Sequence, residues 1–139
     1  MCSELLRSQV SANKLGRYDI TLSSHLFNEV PLPYPKRGKL GLSILYWTVL
    51  LRIAWILGYA NNGEARTIAQ QRAHKAVQQL TELATKHGSV LVVGHGVMNR
   101  LIAQVLNKQG WQQITRVGSK HWSAGIYECP TNGQTSKQV

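Results

Sequence analysis

His95 is the residue best placed to do chemistry, because a glycine precedes it and another follows it at the end of an apolar run. The segment KHGSVLVVGHGVMNR contains two His-Gly pairs, one beginning at His87 and one at His95. Flanking glycines let the backbone approach a ligand closely. A histidine in that setting can donate to a phosphoryl oxygen, act as a nucleophile or transfer a proton. Spacing alone leaves both this function and an ordinary turn histidine open.

The two histidines belong to different predicted elements. Small and apolar side chains recur at intervals of three and four from Glu64 to Lys86, which predicts a long amphipathic helix. Gly88 supplies the left-handed residue that commonly ends a helix, so His87 is expected in the last turn. A structural role is therefore favoured for His87.

His95 follows a predicted buried strand. Residues 89–93 read SVLVV, an apolar run without alternation that is typical of a strand covered on both faces in a parallel sheet. Residues 97–107 then predict a helix. Open α/β sheets bind ligands at the carboxyl ends of their strands, and helix N-termini bind anions through free amides. His95 and the amides after Gly96 therefore form a candidate anion site.

The rest of the chain supplies further predicted elements around this unit. They are a helix at 4–15 capped by Ser3 and ended by Gly16, a short strand at 25–30, a proline-rich surface loop at 32–39 and a final strand at 122–128. The tail at 129–139 is expected to be disordered.

The most apolar stretch, residues 40–60, raises the question of membrane insertion. Arg52 lies near its middle, and a central arginine costs about 2.5 to 3.5 kcal/mol on insertion. A buried helix whose Arg52 reaches a cleft or a carboxylate is therefore preferred. Membrane contact stays the alternative, since Lys36, Arg37 and Lys39 precede the stretch as they would precede an inserted helix.

The chain is strongly basic: its 139 residues carry 16 Lys and Arg against 6 Asp and Glu, a net charge of +10. Such a charge attracts polyanions, anionic lipids or phosphorylated substrates. The basic residues are scattered and are not interleaved with aromatic residues in one block, so specific nucleic-acid binding is not expected. Cys2 and Cys129 lack metal-ligand spacing and no signal peptide is visible, so the sequence predicts no metal site and a cytoplasmic location.

Several segments are similar to motifs of the histidine phosphatase superfamily, the phosphoglycerate-mutase-like proteins. LVVGHGVMNRLI resembles the strand, His-Gly pair and helix around the family's second histidine, a role that falls on His95. SELLRSQVSA, residues 3–12, is similar to the segment Ser-x-Leu-x-Arg-Ala-x-Gln-Thr-Ala, which supplies a phosphate-binding arginine, here Arg7. HLFNEVPLP resembles the stretch with a proton-donating acid, here Glu29. GSKHWSAGIYE is similar to the family's closing strand.

The resemblance implies a mechanism in which two histidines and two arginines surround one phosphoryl group. One histidine attacks phosphorus and becomes phosphohistidine. The second histidine and the arginines stabilise the charge that builds on the transferring oxygens, and a carboxylic acid protonates the leaving alcohol. The resemblance gives the assisting role to His95, phosphate binding to Arg7 and the acid role to Glu29, and it implies no cofactor.

The family's Arg-His-Gly segment, which carries the attacking histidine on the first strand, has no counterpart in these residues. His87 cannot replace it, because Lys86-His87-Gly88 precedes a strand and is expected at the sheet edge opposite His95. The start at Met1, which runs almost at once into a helical pattern, favours a truncated chain.

The sequence therefore predicts a single incomplete α/β domain over residues 1–128, a three-layer sandwich with a mostly parallel sheet whose first strand is missing. Arg7, His95 and Gly96 are expected to bind the phosphate of a phosphorylated small molecule, with weak or no hydrolysis. The alternative is a non-enzymatic basic module that binds nucleic acid or an anionic membrane.

Overall fold

The computed structural model describes residues 1–15, 22–34, 41, 43–116, 118 and 122–130. Two strands pair in an antiparallel hairpin, and the remaining regular elements are helical. In chain order the elements are α1 (Leu6–Lys14), a 3₁₀ turn (His25–Phe27), α2 (Ile44–Ile56), α3 (Arg66–His87), α4 (Gly96–Lys108), β1 (Gln112–Thr115) and β2 (Ile126–Glu128).

Three short extended segments run parallel to one another beside the start of α4. The middle one, residues 1–3, is bridged at Cys2 to Ser23 on one side and to Val93 on the other. Ser3 N also donates to Val93 O at 3.1 Å. This pairing aligns the first residues of the chain with the segment that leads into His95.

Two expectations about strands need correction. The predicted strand at 89–93 takes part in parallel pairing only as a single bridge at Val93. The predicted strand at 25–30 was wrong, because residues 25–27 form the 3₁₀ turn, with the Ser24 hydroxyl accepting from Leu26 N at 3.3 Å. A mostly parallel sheet is therefore not seen among the described residues, and the three-layer sandwich stays a prediction.

The predicted long helix is confirmed as α3, and Gly88 follows it with φ +79°. Gly88 N donates to Ala84 O at 2.8 Å, and His87 is exposed in the last turn, as expected. The cap predicted at Ser3 was wrong, because α1 begins after Leu5 without a side-chain cap. The predicted stop at residue 16 and most of the predicted tail lie outside the described residues.

The core lies between α3 and α4. Alanines on one side of α3 let α4 approach closely, and larger apolar side chains of α4 fill the space between the helices. Segments outside these two helices contribute Phe27, Val30 and Trp55, which complete the core. The buried helical residues are Ala69, Ala73, Ala76, Val77 and Leu80 of α3, and Met98, Leu101, Ile102, Val105 and Leu106 of α4.

The preference for a buried helix within residues 40–60 was wrong for most of α2. Only Trp55 is fully inside, and its Nε1 donates to Glu64 O at 2.8 Å, which fixes α2 against the start of α3. The opposite face of α2 is exposed to solvent. Among the helices of the described ranges, none combines the length and the hydropathy needed to cross a bilayer.

Candidate functional site

His95 lies at the junction between the parallel segments and α4. It is the N-cap residue of α4 with an extended backbone, and its side chain is 9% exposed. Ser3 Oγ lies 2.9 Å and Ser8 Oγ lies 3.1 Å from His95 Nε2. Arg7 Nη2 lies 3.4 Å from His95 Nδ1. Both ring nitrogens therefore have protein partners.

These contacts determine the tautomer of His95. A guanidinium has only donors, so Arg7 donates and Nδ1 of His95 accepts. In the neutral ring the proton is then on Nε2, which donates to the serine hydroxyl oxygens. Burial lowers the pKa of His95 below its ordinary value, partly offset by the Glu29 carboxylate and reinforced by the Arg7 charge. The imidazole is therefore neutral near pH 7.

The partners of His95 come from two neighbouring elements. Arg7 and Ser8 are consecutive in the first turns of α1, and Ser8 is 3% exposed. Ser3 lies on the middle parallel segment, where its backbone bond to Val93 places it beside the ring, and its Oγ also accepts from Leu5 N at 3.2 Å. Parallel pairing and the start of α1 together bring residues from the chain start to His95.

Glu29 is the third predicted site residue, and it lies within electrostatic range of His95. Burial lowers the pKa of both His95 and Arg52, and the negative charge of Glu29 partly opposes each of these shifts. Glu29 Oε1 accepts from Val30 N at 3.0 Å, which holds the carboxylate near its own backbone. The structure thus brings Arg7, Glu29 and His95 into one region.

Arg52 adds a cation that the motif comparison did not identify as part of the site. Its guanidinium lies over the Trp55 ring at 5.4 Å from the centroid, and its buried Nη1 has no hydrogen-bond partner among the described residues. Burial lowers the pKa of Arg52; Glu29 opposes this shift and the nearby Arg100 adds to it. Arg52 is therefore within Coulombic range of a carboxylate, as expected from its place in the apolar segment.

The roles of Ser3 and Ser8 were also missed by sequence reasoning. Ser3 was predicted as a helix cap, whereas its hydroxyl contacts His95 Nε2 and accepts from Leu5 N just before the helix. Ser8 occupies the position at which the similar family segment has alanine, and this exchange of a small apolar residue for a hydroxyl was the available signal. The role of the Ser8 hydroxyl becomes clear only from the position of His95 in the tertiary structure, 3.1 Å away.

The first turn of α4 is open beside this cluster. It has no side-chain cap and no acidic residue, so its first amides lack a side-chain acceptor at the positive end of the helix dipole. Gly96 is exposed, and a Cβ added there would meet nothing within 4 Å. The predicted place for an anion is thus accessible next to Arg7.

An ion pair distant from His95 supports the loop that carries Glu29. Arg72 contacts both carboxylate oxygens of Glu64, at 3.0 and 2.7 Å. Arg72 Nη1 also donates to Asn28 O at 2.7 Å, as well as to the carbonyls of His25 and Leu26. The bidentate ion pair and the three carbonyl bonds indicate that Arg72 has a structural role and holds the segment that leads to Glu29.

The arrangement offers hydrogen-bond donors and positive charge to a small anion. Its parts are the Arg7 guanidinium, the α4 amides and a buried neutral histidine. Within the described part of the chain, no group of three or more His, Cys, Asp or Glu side chains is arranged to hold a metal ion.

Comparison with known proteins identifies one family. The family model for the histidine phosphatase superfamily (branch 1) matches residues 51–139, well over half of the chain. The matched range includes α3, His95 and α4, whereas Arg7 and Glu29 precede it. No match was found among curated proteins or among solved structures.

Proposed function

The chain belongs to the histidine phosphatase superfamily (branch 1), and from this premise we propose that it binds a phosphomonoester or a phosphoanhydride beside His95. The family acts in general on phosphorylated substrates. The observation that carries the proposal is the contact of Arg7 with His95 next to the uncapped N-terminus of α4.

Arg7 and the first turn of α4 are the proposed phosphate ligands. Arg7 is exposed and uses one terminal nitrogen on His95, and its remaining donors have no other partner in the described part of the chain. They could pair with phosphoryl oxygens in the bidentate manner that guanidinium favours. The amides that follow Gly96 supply uncharged donors from a second direction. Together these groups would offer charged and uncharged donors to the phosphoryl oxygens.

His95 is the proposed assisting residue. Its Nδ1 lone pair is directed at the Arg7 guanidinium, so in this geometry the ring is a poor nucleophile. If a phosphoryl oxygen replaced the Ser3 and Ser8 hydroxyls as the acceptor, Nε2–H of His95 would donate to the ligand. Glu29, within electrostatic range of the ring, is the proposed proton donor to a leaving alcohol.

These 139 residues contain no Arg-His-Gly segment. We therefore propose that they bind phosphate with little or no turnover. We also propose that the three parallel segments belong to a mostly parallel sheet of a three-layer domain, because the two bridges at Cys2 already have the parallel sense.

Titration calorimetry with inorganic phosphate and with phenyl phosphate tests the binding proposal. Arg7→Gln is expected to weaken both ligands by about tenfold to a hundredfold, the effect of a lost charge-assisted hydrogen bond. Lys14→Gln, which removes an exposed cation from the same helix, is the matched control and should leave affinity unchanged. Equal affinity of Arg7→Gln and wild type would contradict the proposal.

A chromogenic phosphomonoester assay tests the proposal that the chain binds phosphate with little or no turnover. The expected result is no turnover above background by the 139-residue protein. Robust turnover with a phosphohistidine trapped on His95 would show that this ring attacks phosphorus and that the assisting role is wrong.

A further inference from the structure

The side of α2 that is turned away from the core is apolar over its whole length. Leu45 is 71% exposed, Val49 53%, Ile53 50% and Leu57 81%. The helical spacing of four places them in one row. We use the name α2 outer face for this row and its exposed neighbours Tyr46, Leu50 and Ile56.

Polar groups within α2 do not interrupt this face. Arg52 is the single charged residue of α2, and its guanidinium is turned inward over Trp55. The Thr48 hydroxyl donates to Ile44 O at 2.8 Å within the helix. Soluble domains rarely expose a contiguous apolar surface of this kind unless it contacts a partner.

Two exposed tyrosines lie near the C-terminal end of α2. Tyr59 N donates to Ala54 O at 2.9 Å, and Tyr34 N donates to Asn61 O at 3.3 Å, so both residues are held near the end of the helix. Tyrosine has an apolar ring and a polar tip, and it is enriched where a membrane meets water.

The N-terminal end of the α2 outer face is close in the chain to a cluster of cations. Lys36, Arg37 and Lys39 precede Ile44, and Lys39 is followed by only a few residues before the helix begins. In the sequence, basic charge therefore precedes the apolar row by only a few residues. An apolar row with basic charge at one end is complementary to an anionic lipid surface.

We propose that the α2 outer face docks peripherally on an anionic lipid bilayer. A helix of 13 residues is about 20 Å long, shorter than the hydrocarbon core, so α2 would lie in the interface. A second copy of the chain fits less well, because a symmetric contact would bring together two chains that each carry a net charge of +10. The proposal does not depend on the phosphate site.

Sedimentation with vesicles tests the proposal. Vesicles of phosphatidylcholine alone are compared with vesicles that also contain phosphatidylglycerol. Wild type should bind the anionic vesicles more tightly. Val49→Asp/Ile53→Asp should lower this binding by more than about tenfold, given the cost of a carboxylate in the apolar interface. Ile114→Asp, at an equally exposed apolar residue of β1, is the control and should bind as wild type.

A triple variant tests the charge contribution. Lys36→Gln/Arg37→Gln/Lys39→Gln should remove the preference for anionic vesicles. Circular dichroism confirms folding, and Val49→Ser/Ile53→Ser replaces the aspartate variant if that variant loses helix. Failure of wild type to bind vesicles, or unchanged binding of the folded double variant, would overturn the proposal. So would a dimer in solution that the double variant dissociates, since the face would then contact a second copy.

Discussion

Arg7 Nη2 and His95 Nδ1 lie 3.4 Å apart although 88 positions separate the two residues in the chain. The contact has consequences for both side chains. The guanidinium is directed toward the imidazole at the start of α4, and the imidazole is kept neutral mainly by burial, with the Arg7 charge adding to the lowering of its pKa. Protonation of His95 would break this arrangement by placing two donors face to face.

The first prediction concerns pH. The pKa of His95 in the folded protein is below the ordinary value of 6.5 because the ring is buried. Between those two pKa values the unfolded chain binds more protons than the folded chain, so stability falls as the pH drops below 6.5. Urea unfolding measured across that range should show this loss in wild type and a flatter pH profile in His95→Gln. Exposed His87→Gln is the control, and identical profiles for wild type and His95→Gln would contradict the prediction.

The second prediction concerns the two serines that share one donor. Ser3→Ala and Ser8→Ala should each destabilise the protein by less than about 1 kcal/mol, because Nε2–H can still donate to the remaining hydroxyl. The double variant leaves a buried donor without a partner and should cost about 1 to 3 kcal/mol more than the sum of the singles. Chemical denaturation gives all three values. Additive effects would show that the two hydroxyls do not compensate for one another.

The third prediction compares the glycines on either side of His95. A Cβ on Gly94 would lie 2.6 Å from Asn99 Oδ1, whereas a Cβ on Gly96 would meet nothing within 4 Å. Because Asn99 Oδ1 is the end of a side chain that can turn away, Gly94→Ala should destabilise the protein by about 0.5 to 1.5 kcal/mol, the cost of a less favourable Asn99 rotamer. Gly96→Ala should leave stability near wild type. Thermal unfolding of the pair measures the difference, and equal midpoints would contradict it.

The fourth prediction concerns Arg72. Arg72→Gln should cost about 2 to 4 kcal/mol, because it leaves the Glu64 carboxylate partly buried without its cation and removes the bonds to three carbonyls. Glu64→Gln should cost less, since Arg72 retains those carbonyl acceptors. The exposed neighbour Gln71→Ala is the control in the same unfolding experiment. A larger loss in Glu64→Gln than in Arg72→Gln would show that the carbonyl bonds contribute little.

Sequence patterns predicted the helices around the site better than the sheet. The periodicity of α3 and the glycine after it separated His87 from His95, and both placements are confirmed. β1 was not predicted, because QQIT has neither a run of apolar residues nor a clear alternation. Short parallel bridges depend on contacts between distant segments, which local sequence does not encode.

The contacts of Ser3 and the exposure of α2 show the remaining limits. The Ser3 hydroxyl can cap a helix or bond a histidine, and only the pairing of its segment with Val93 decides between them. An apolar run such as that of α2 has the same composition whether a core or another surface covers it. Arg7 and His95 were predicted from motifs, whereas their direct contact required the tertiary structure.

A line of bonds joins Glu64 through Arg72 and Asn28 to Glu4, whose backbone N donates to Asn28 Oδ1 at 2.9 Å. Glu4 lies three positions before Arg7, so these bonds help to hold the segment that carries Arg7. In a library of variants screened by capture on a phosphate ligand, substitutions along this line would therefore reduce the captured amount, as substitutions of Arg7 would. Saturation curves would distinguish the two classes. An Arg7 variant would reach full stoichiometry at a higher ligand concentration, whereas an Arg72 variant would keep the wild-type midpoint and lose binding-competent molecules.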